Sequence, residues 1–262
     1  MKPDYWLTQT TQKPLFPEIE WNKPEQKARA GRLGIVGGNK QGFAITAGCV
    51  EMANKTGVGE TKVLLPASLK NKMPVRPEGV SFSADNQSGG LGDHSLPDVM
   101  ALSDWASGML FTGEAGKNSQ TAILYEKFMQ DYSGMVTITR DAVDLLKNNF
   151  MALADRDKTL AVMSFSQLQS MFKGLHYPKI LTFSMQLSQL VDSLHKFTIT
   201  YPICIVTLHA DRIVVAKDGQ VATMEWDNPM SMWRGEVATK AAVYWLWNEN
   251  KQLEAVCSSL LK

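Results

Sequence analysis

Apolar positions along this chain alternate between short continuous runs and longer amphipathic stretches, which predicts strands and helices in turn. The first run, Leu33-Gly34-Ile35-Val36, ends in Gly37-Gly38 and predicts a buried strand followed by a tight turn. A helix over 43–55 and a strand over 62–65, closed by Pro66, come next. Strand, glycine turn, helix and strand make a βαβ unit, which favours a parallel sheet with right-handed crossovers. The alternation continues through helices over 98–105, 120–130, 142–148, 167–173 and 185–197, with strands over 108–112, 134–139, 159–163 and 203–207. Two short strands over 212–216 and 220–225 flank Asp218-Gly219, a hairpin signal, and helices over 235–247 and 252–261 close the pattern.

Two stretches depart from this rhythm. Residues 1–30 are polar and broken by Pro3, Pro14, Pro17 and Pro24, and predict an irregular arm that docks by Trp6 and Trp21. Residues 71–97 are rich in Gly, Ser, Pro and Asp, and the part over 88–95 predicts a flexible surface loop or lid. With no repeat or linker, the expectation is one doubly wound α/β/α domain over 31–262, with residues 1–30 packed on it.

Composition narrows the function classes. A hydrophobic fraction of 44% with 20% charged residues fits a globular protein in 262 residues. The net charge of +1 gives no reason to expect nucleic acid as a partner. No apolar run reaches the length of about 20 residues that a membrane helix needs, and the first residues lack a secretory signal. Cys49, Cys204 and Cys257 are sparse and set in apolar runs, as expected for reduced buried thiols in a cytoplasmic protein. The four histidines have no metal-ligand spacing with one another or with the cysteines, so no metal site is assigned.

In a doubly wound sheet the ligand sits beyond the carboxyl ends of the strands, so the turns there carry the candidate chemistry. In Gly37-Gly38-Asn39-Lys40-Gln41-Gly42 the glycines let a ligand approach the backbone, and Asn39 can hydrogen-bond it; a plain strand-to-helix turn is the other reading. Gly113-Glu114-Ala115-Gly116-Lys117-Asn118 leads into a helix whose N–H groups can face a phosphate, or is a simple capped turn. Asp141 opens a helix after Thr139-Arg140, as a macrodipole partner or a ligand. Arg234-Gly235-Glu236 opens the long apolar helix near the end of the chain, where free N–H groups can hold an anion and a carboxylate can act as a base. Trp233 beside it is a packing residue or a cover for a bound ring.

Taken together, Gly31 to Gly38 with Gly42-Phe43-Ala44, Val63 to Pro66, Thr112 to Ser119, Ile138 to Leu146 and Gly235-Glu236 resemble the ADP/ATP-dependent NAD(P)H-hydrate dehydratases over most of the chain. The resemblance implies a three-layer α/β/α ribokinase-like fold with a mostly parallel central sheet. It implies ADP or ATP with Mg²⁺ as cofactors, an NAD(P)H-like small-molecule substrate, and a homo-oligomer. Its reaction phosphorylates the hydroxyl of hydrated NAD(P)H and eliminates phosphate. It would put Glu236 in the place of the family's catalytic Asp, as the base, with Arg234 and Gly235 at the anion hole. Gly37, Gly38, Asn39 and Gly42 would line the substrate, and Gly113, Gly116, Asn118 and Asp141 the nucleotide. The chain departs from the family where G-G-T-G-D becomes Met232-Trp233-Arg234-Gly235-Glu236, where P-H-P-G-E becomes Ser164-Phe165-Ser166-Gln167-Leu168, and where L-K-G-A becomes Thr207-Leu208-His209-Ala210. A nucleotide-binding pseudoenzyme and a small-molecule kinase of the same fold are the alternatives these departures leave open.

Overall fold

The computed structural model describes residues 2–73, 75 and 77–261. Met1, Pro74, Arg76 and Lys262, which fall within the expected arm, the 71–97 loop and the end of the expected domain, lie outside them. In chain order the strands are β1 (Trp6–Gln9), β2 (Arg32–Val36), β3 (Glu60–Pro66), β4 (Val80–Ser83), β5 (Gly108–Phe111), β6 (Met135–Thr139), β7 (Thr159–Val162), β8 (Cys204–His209), β9 (Arg212–Lys217) and β10 (Gln220–Glu225). The α-helices are α1 (Ala44–Thr56), α2 (Leu96–Trp105), α3 (Ser119–Asp131), α4 (Asp141–Leu145), α5 (Phe150–Ala154), α6 (Phe165–Gly174), α7 (Leu187–Thr200), α8 (Pro229–Trp233), α9 (Glu236–Trp247) and α10 (Gln252–Ser259).

Among the described residues the ten strands form one sheet in the order β1-β10-β9-β8-β7-β6-β5-β2-β3-β4, and only β9 runs against the rest. The central strands are apolar throughout because both of their faces are covered: every residue of β5, β6 and β7 is buried. Their register stacks Ile35, Leu110, Thr137, Leu160 and Cys204 across the middle of the sheet. One face packs against α2 to α7, with Phe111, Tyr125, Phe128, Phe172 and Phe197 in its core. The other packs against α1, α9 and α10 through Cys49, Ala53, Ala241, Val243, Trp245 and Val256. This is the expected three-layer α/β/α architecture.

Local chemistry fixes the element ends. Asn118 caps α3 by accepting from Gln120 N at 2.9 Å, and Ser164 with Gln167 forms a reciprocal capping box on α6. Asp218 and Gly219 both have positive φ, as the β9–β10 hairpin requires. All three cysteines are free and buried.

Four of these strands and α-helices were not foreseen in the sequence. The arm is not irregular throughout: β1 adds an edge strand beside β10, with Trp6 Nε1 donating to Thr223 Oγ1 at 2.9 Å. The 71–97 loop contains β4, paired with β3. Its glycine-rich part is packed and bonded rather than loose. Gly89 O accepts from Lys40 N at 2.7 Å, and Asn86 Nδ2 donates to Leu91 O and Thr121 Oγ1. The remaining two are the short helices α5 and α8, each five residues long and too brief for a periodic signal.

Candidate functional site

The carboxyl ends of β2, β5 and β6 meet in a knot of turns. Thr112 Oγ1 and Thr46 Oγ1 are 2.9 Å apart across Gly37, where an added Cβ would lie 2.0 Å from Thr112 Oγ1. Glycine at 37 is therefore a requirement of close packing. Gly38 N approaches Gly113 O at 3.5 Å, and Asn39 Nδ2 donates to Glu114 O at 2.5 Å. Asn39 Oδ1 accepts from Gln41 N, and Asn39 and Gly42 exchange both backbone bonds at 3.0 Å. Glu114 Oε2 accepts from Ile45 N at 2.8 Å, which places a carboxylate on the amino end of α1. Asp141 accepts from Glu114 N at 2.9 Å and from Gly116 N at 3.1 Å, one bond to each carboxylate oxygen. Asn118 Nδ2 donates to Ser88 Oγ at 2.8 Å.

The structure thus brings Gly37, Gly38, Asn39, Gly42, Gly113, Gly116 and Asp141 together, with Asn118 at their edge. Many of their polar groups already bond to one another. Glu114 and Arg140 hold positive φ here without being glycine, a conformation that persists only where the surroundings over-determine it. Glu114 was not singled out in the sequence. Its only signal there was an acid following the glycine that ends a strand run.

The amino end of α9 differs. Gly235 caps it in the left-handed region at φ 74°, with Cys49 Sγ close enough that an added Cβ would lie 2.8 Å away. The first backbone bond of α9 runs from Thr239 N to Gly235 O at 3.0 Å, so Glu236, Val237 and Ala238 have no intrahelical carbonyl to receive their N–H groups. Arg234 N and Gly235 N, expected at an anion hole, instead donate to Met230 O and Met232 O of α8 at 2.9 and 3.1 Å. The Arg234 side chain is exposed.

Glu236 and Val237 line a cavity of about 740 Å³ at the carboxyl edge of the sheet. Its other walls come from the ends of β1 and β10 (Gln9, Met224, Glu225), from the turn after β1 (Thr10 to Gln12), and from Asp227, Asn228, Ser231 and Lys240. Lys240 sits one turn beyond Glu236 on the same helix face, a spacing that was legible in the sequence. Burial pulls the Lys240 ammonium below its ordinary value, opposed by the charge of Glu236. The acids Asp211, Glu225, Asp227 and Glu236 all border this space. Among the described residues, however, no group of three or more His, Cys, Asp or Glu is placed to hold a metal ion.

A second opening lies on the other side of α8. It is an apolar cleft of about 290 Å³ beyond the ends of β6, β7 and β8, lined by Phe165, Phe183, Leu208, Met232 and Trp233 with Arg140 at its border. The short α8 separates the two openings, giving Ser231 to one and Met232 and Trp233 to the other.

In sequence, no family model matches the chain and no curated protein is similar to it. Solved structures do match. A ribokinase-like superfamily protein from Enterococcus faecalis superposes with a TM-score of 0.73 at 13% identity, covering 100% of this chain and 87% of that one. The fold is ribokinase-like. An ADP/ATP-dependent NAD(P)H-hydrate dehydratase from Bacillus subtilis, co-crystallised with ATP/Mg²⁺, matches with a TM-score of 0.57 at 10% identity over 94% of this chain and 86% of that one. The pyridoxal kinase from Staphylococcus aureus, in complex with AMP-PCP and pyridoxal, matches at 0.53 and 9% identity over 87% and 84%. The ribokinase-like sheet places both openings at its carboxyl edge, where ligands of doubly wound folds bind. Among the described residues no helix is long and apolar enough to cross a membrane.

Proposed function

We propose that this ribokinase-like chain binds ADP or ATP in the cavity at α9 and phosphorylates the hydroxyl of a small molecule, with Glu236 as the base. The observation that carries this reading is the position of Glu236, at the first turn of α9 and open to a cavity of about 740 Å³. The N–H groups of Glu236 and Val237 at the helix start favour an anion there, and Lys240 adds positive charge one turn along. Glu236 would orient the attacking hydroxyl and accept its proton, alongside the positioning and charge neutralisation that dominate phosphoryl transfer. Mg²⁺ would arrive on the nucleotide phosphates, with Glu225 and Asp227 of the cavity wall as the carboxylates that would help hold it, and would neutralise phosphate charge. Gly37, Gly38, Asn39 and Gly42, expected at the substrate, and Gly113, Gly116, Asn118 and Asp141, expected at the nucleotide, line neither of the two openings and would act by holding the strand ends that frame the site.

The specific reaction proposed is that of the NAD(P)H-hydrate dehydratases, in which the phosphorylated hydroxyl then leaves as phosphate and the ring double bond is restored. One observation favours a second reading, a nucleotide-binding pseudoenzyme. Two N–H groups of the expected anion hole are occupied by carbonyls of α8, and Met232 and Trp233 stand where the family has small residues. Calorimetric titration with ADP and ATP, with and without Mg²⁺, tests the shared part of both readings. Absence of binding would remove both. If nucleotide binds, following absorbance at 340 nm with hydrated NADPH separates them, and detection of a stable phosphorylated product would mark a kinase instead.

A further inference from the structure

The apolar cleft beside α8 is a site of a different kind from the cavity at Glu236. Three aromatic side chains, Phe165, Phe183 and Trp233, contribute to its walls. Phe165 and Phe183 pack with ring centres 5.1 Å apart, and His209 backs Phe165 at 4.9 Å. Yet Phe183 is 69% exposed and Trp233 52% exposed, whereas Phe172 and Phe197 stack at 4.4 Å in a closed core. Large rings left in water around an opening gain when a further apolar surface covers them.

The opening is also held in shape. Arg140 Nη1 donates to Trp233 O and so ties α8 to the end of β6. Gln167 Nε2 donates to Arg140 O at 2.7 Å. On the other side, Gln169 Nε2 donates to Leu181 O at 2.9 Å, and His209 Nε2 lies 2.8 Å from Met185 O, anchoring the segment that carries Phe183. A cleft braced on both sides costs little to organise when a ligand arrives.

Charge selects the occupant. Among the described residues lining the cleft, Arg140 alone is charged; its Nη1 is bonded to Trp233 O, while its Nε is buried beside Gly113 on the side away from the opening. The carboxylate nearest to it in sequence, Asp141, is engaged by the N–H groups of Glu114 and Gly116. At about 290 Å³ the cleft is near the lower end of small-molecule pockets, the scale of one ring system rather than of a whole nucleotide.

We propose that this cleft binds a flat aromatic ring bearing an anionic group, the ring between Phe183 and Trp233 and the anion toward Arg140. Ring stacking supplies the aromatic preference, and the guanidinium supplies the preference for an anion. The inference does not rest on nucleotide binding, which concerns the other side of α8.

Titration with 2-naphthoate, compared with cyclohexanecarboxylate and 2-naphthol, tests it. Naphthoate is expected to bind at least about tenfold more tightly than either comparison compound, the flat ring and the charge each being needed. Phe183→Ala, an exposed position that leaves the core intact, is expected to weaken naphthoate at least about fivefold while nucleotide titrations stay unchanged. Arg140→Gln is expected to abolish the preference for naphthoate over naphthol. Equal binding of the aliphatic acid, unchanged affinity in Phe183→Ala, or no binding of naphthoate by the wild-type chain would each overturn the proposal.

Discussion

The knot of turns around Asp141 and the amino end of α9 lie on the same edge of the same sheet, and both are built from glycines and acids. They differ in what their polar groups face. In the knot, Asp141, Glu114 and Asn39 bond to backbone groups of neighbouring turns. At α9, Glu236 and Val237 border open space. A glycine-rich turn after a strand is therefore two different things depending on whether its donors and acceptors are already engaged. The first arrangement holds three strand ends in register, and the second leaves an acid beside a void. On this reading the knot is scaffold and α9 is where chemistry belongs.

The sharpest way to break that contrast is to neutralise Glu236. Glu236→Gln keeps the shape and removes the base, and is expected to lower phosphoryl transfer by about 10²-fold or more, within the range for a lost general base. Nucleotide affinity measured by titration should change little. Unaltered turnover would remove Glu236 from the mechanism and leave the cavity as a binding site alone.

The next effect concerns stability rather than rate. Asp141→Ala removes two charge-assisted bonds that hold Glu114 N and Gly116 N, and is expected to cost about 2–3 kcal/mol. Denaturant unfolding measures this directly. If the variant instead unfolds at the wild-type midpoint and loses nucleotide affinity, Asp141 faces the ligand and the knot is not merely scaffold.

The fold was legible because its strands are apolar on both faces and its turns are marked by glycine. β2, β5, β6 and β7 each appear as runs with no polar face to confuse the period. β1 was not legible, since Trp6-Leu7-Thr8-Gln9 is a short edge strand between prolines and its partner β10 lies more than two hundred residues away. α8 was hidden for a related reason: at five residues it has no period, and its effect comes from where it sits. The site was legible by residue type and not by state of bonding. Nothing in Arg234-Gly235 announces that α8 carbonyls receive their N–H groups, because those carbonyls belong to a helix the pattern does not reveal. Ser164-Phe165-Ser166-Gln167 carries the spacing of a capping box, but nothing in it announces the brace that Gln167 places on Arg140.

Cys49 offers a smaller test, because it stands where α1 meets α9 between the two regions. Burial pushes its thiol from an ordinary value of 9.0 up to about 11, and that of Cys204 up to about 12. Each folded value lies above the unfolded one, so the stabilising difference is complete below pH 9 and is lost as pH rises through the window to 11–12. Over that window each thiol contributes a fall of about 1.4 kcal/mol per pH unit. Cys49→Ala is expected to flatten the slope of unfolding free energy against pH by one thiol's share. An unchanged slope would mean that water reaches Cys49 from the α9 cavity, and that the division between closed knot and open site is less complete.

The smallest effect probes the same contact by double substitution. Gly235→Ala introduces a Cβ at φ 74°, which costs about 1 kcal/mol in backbone strain alone. The new Cβ would also lie 2.8 Å from Cys49 Sγ, which adds overpacking. Only the second part depends on Cys49. In a Cys49→Ala background the cost of Gly235→Ala is therefore expected to fall by about 0.5–1 kcal/mol, a coupling that a double-mutant cycle in denaturant resolves. Strict additivity would show that α9 shifts away from α1 to admit the methyl group. In that case the cavity beside Glu236 is adjustable, and nucleotide affinity in Gly235→Ala should change along with it.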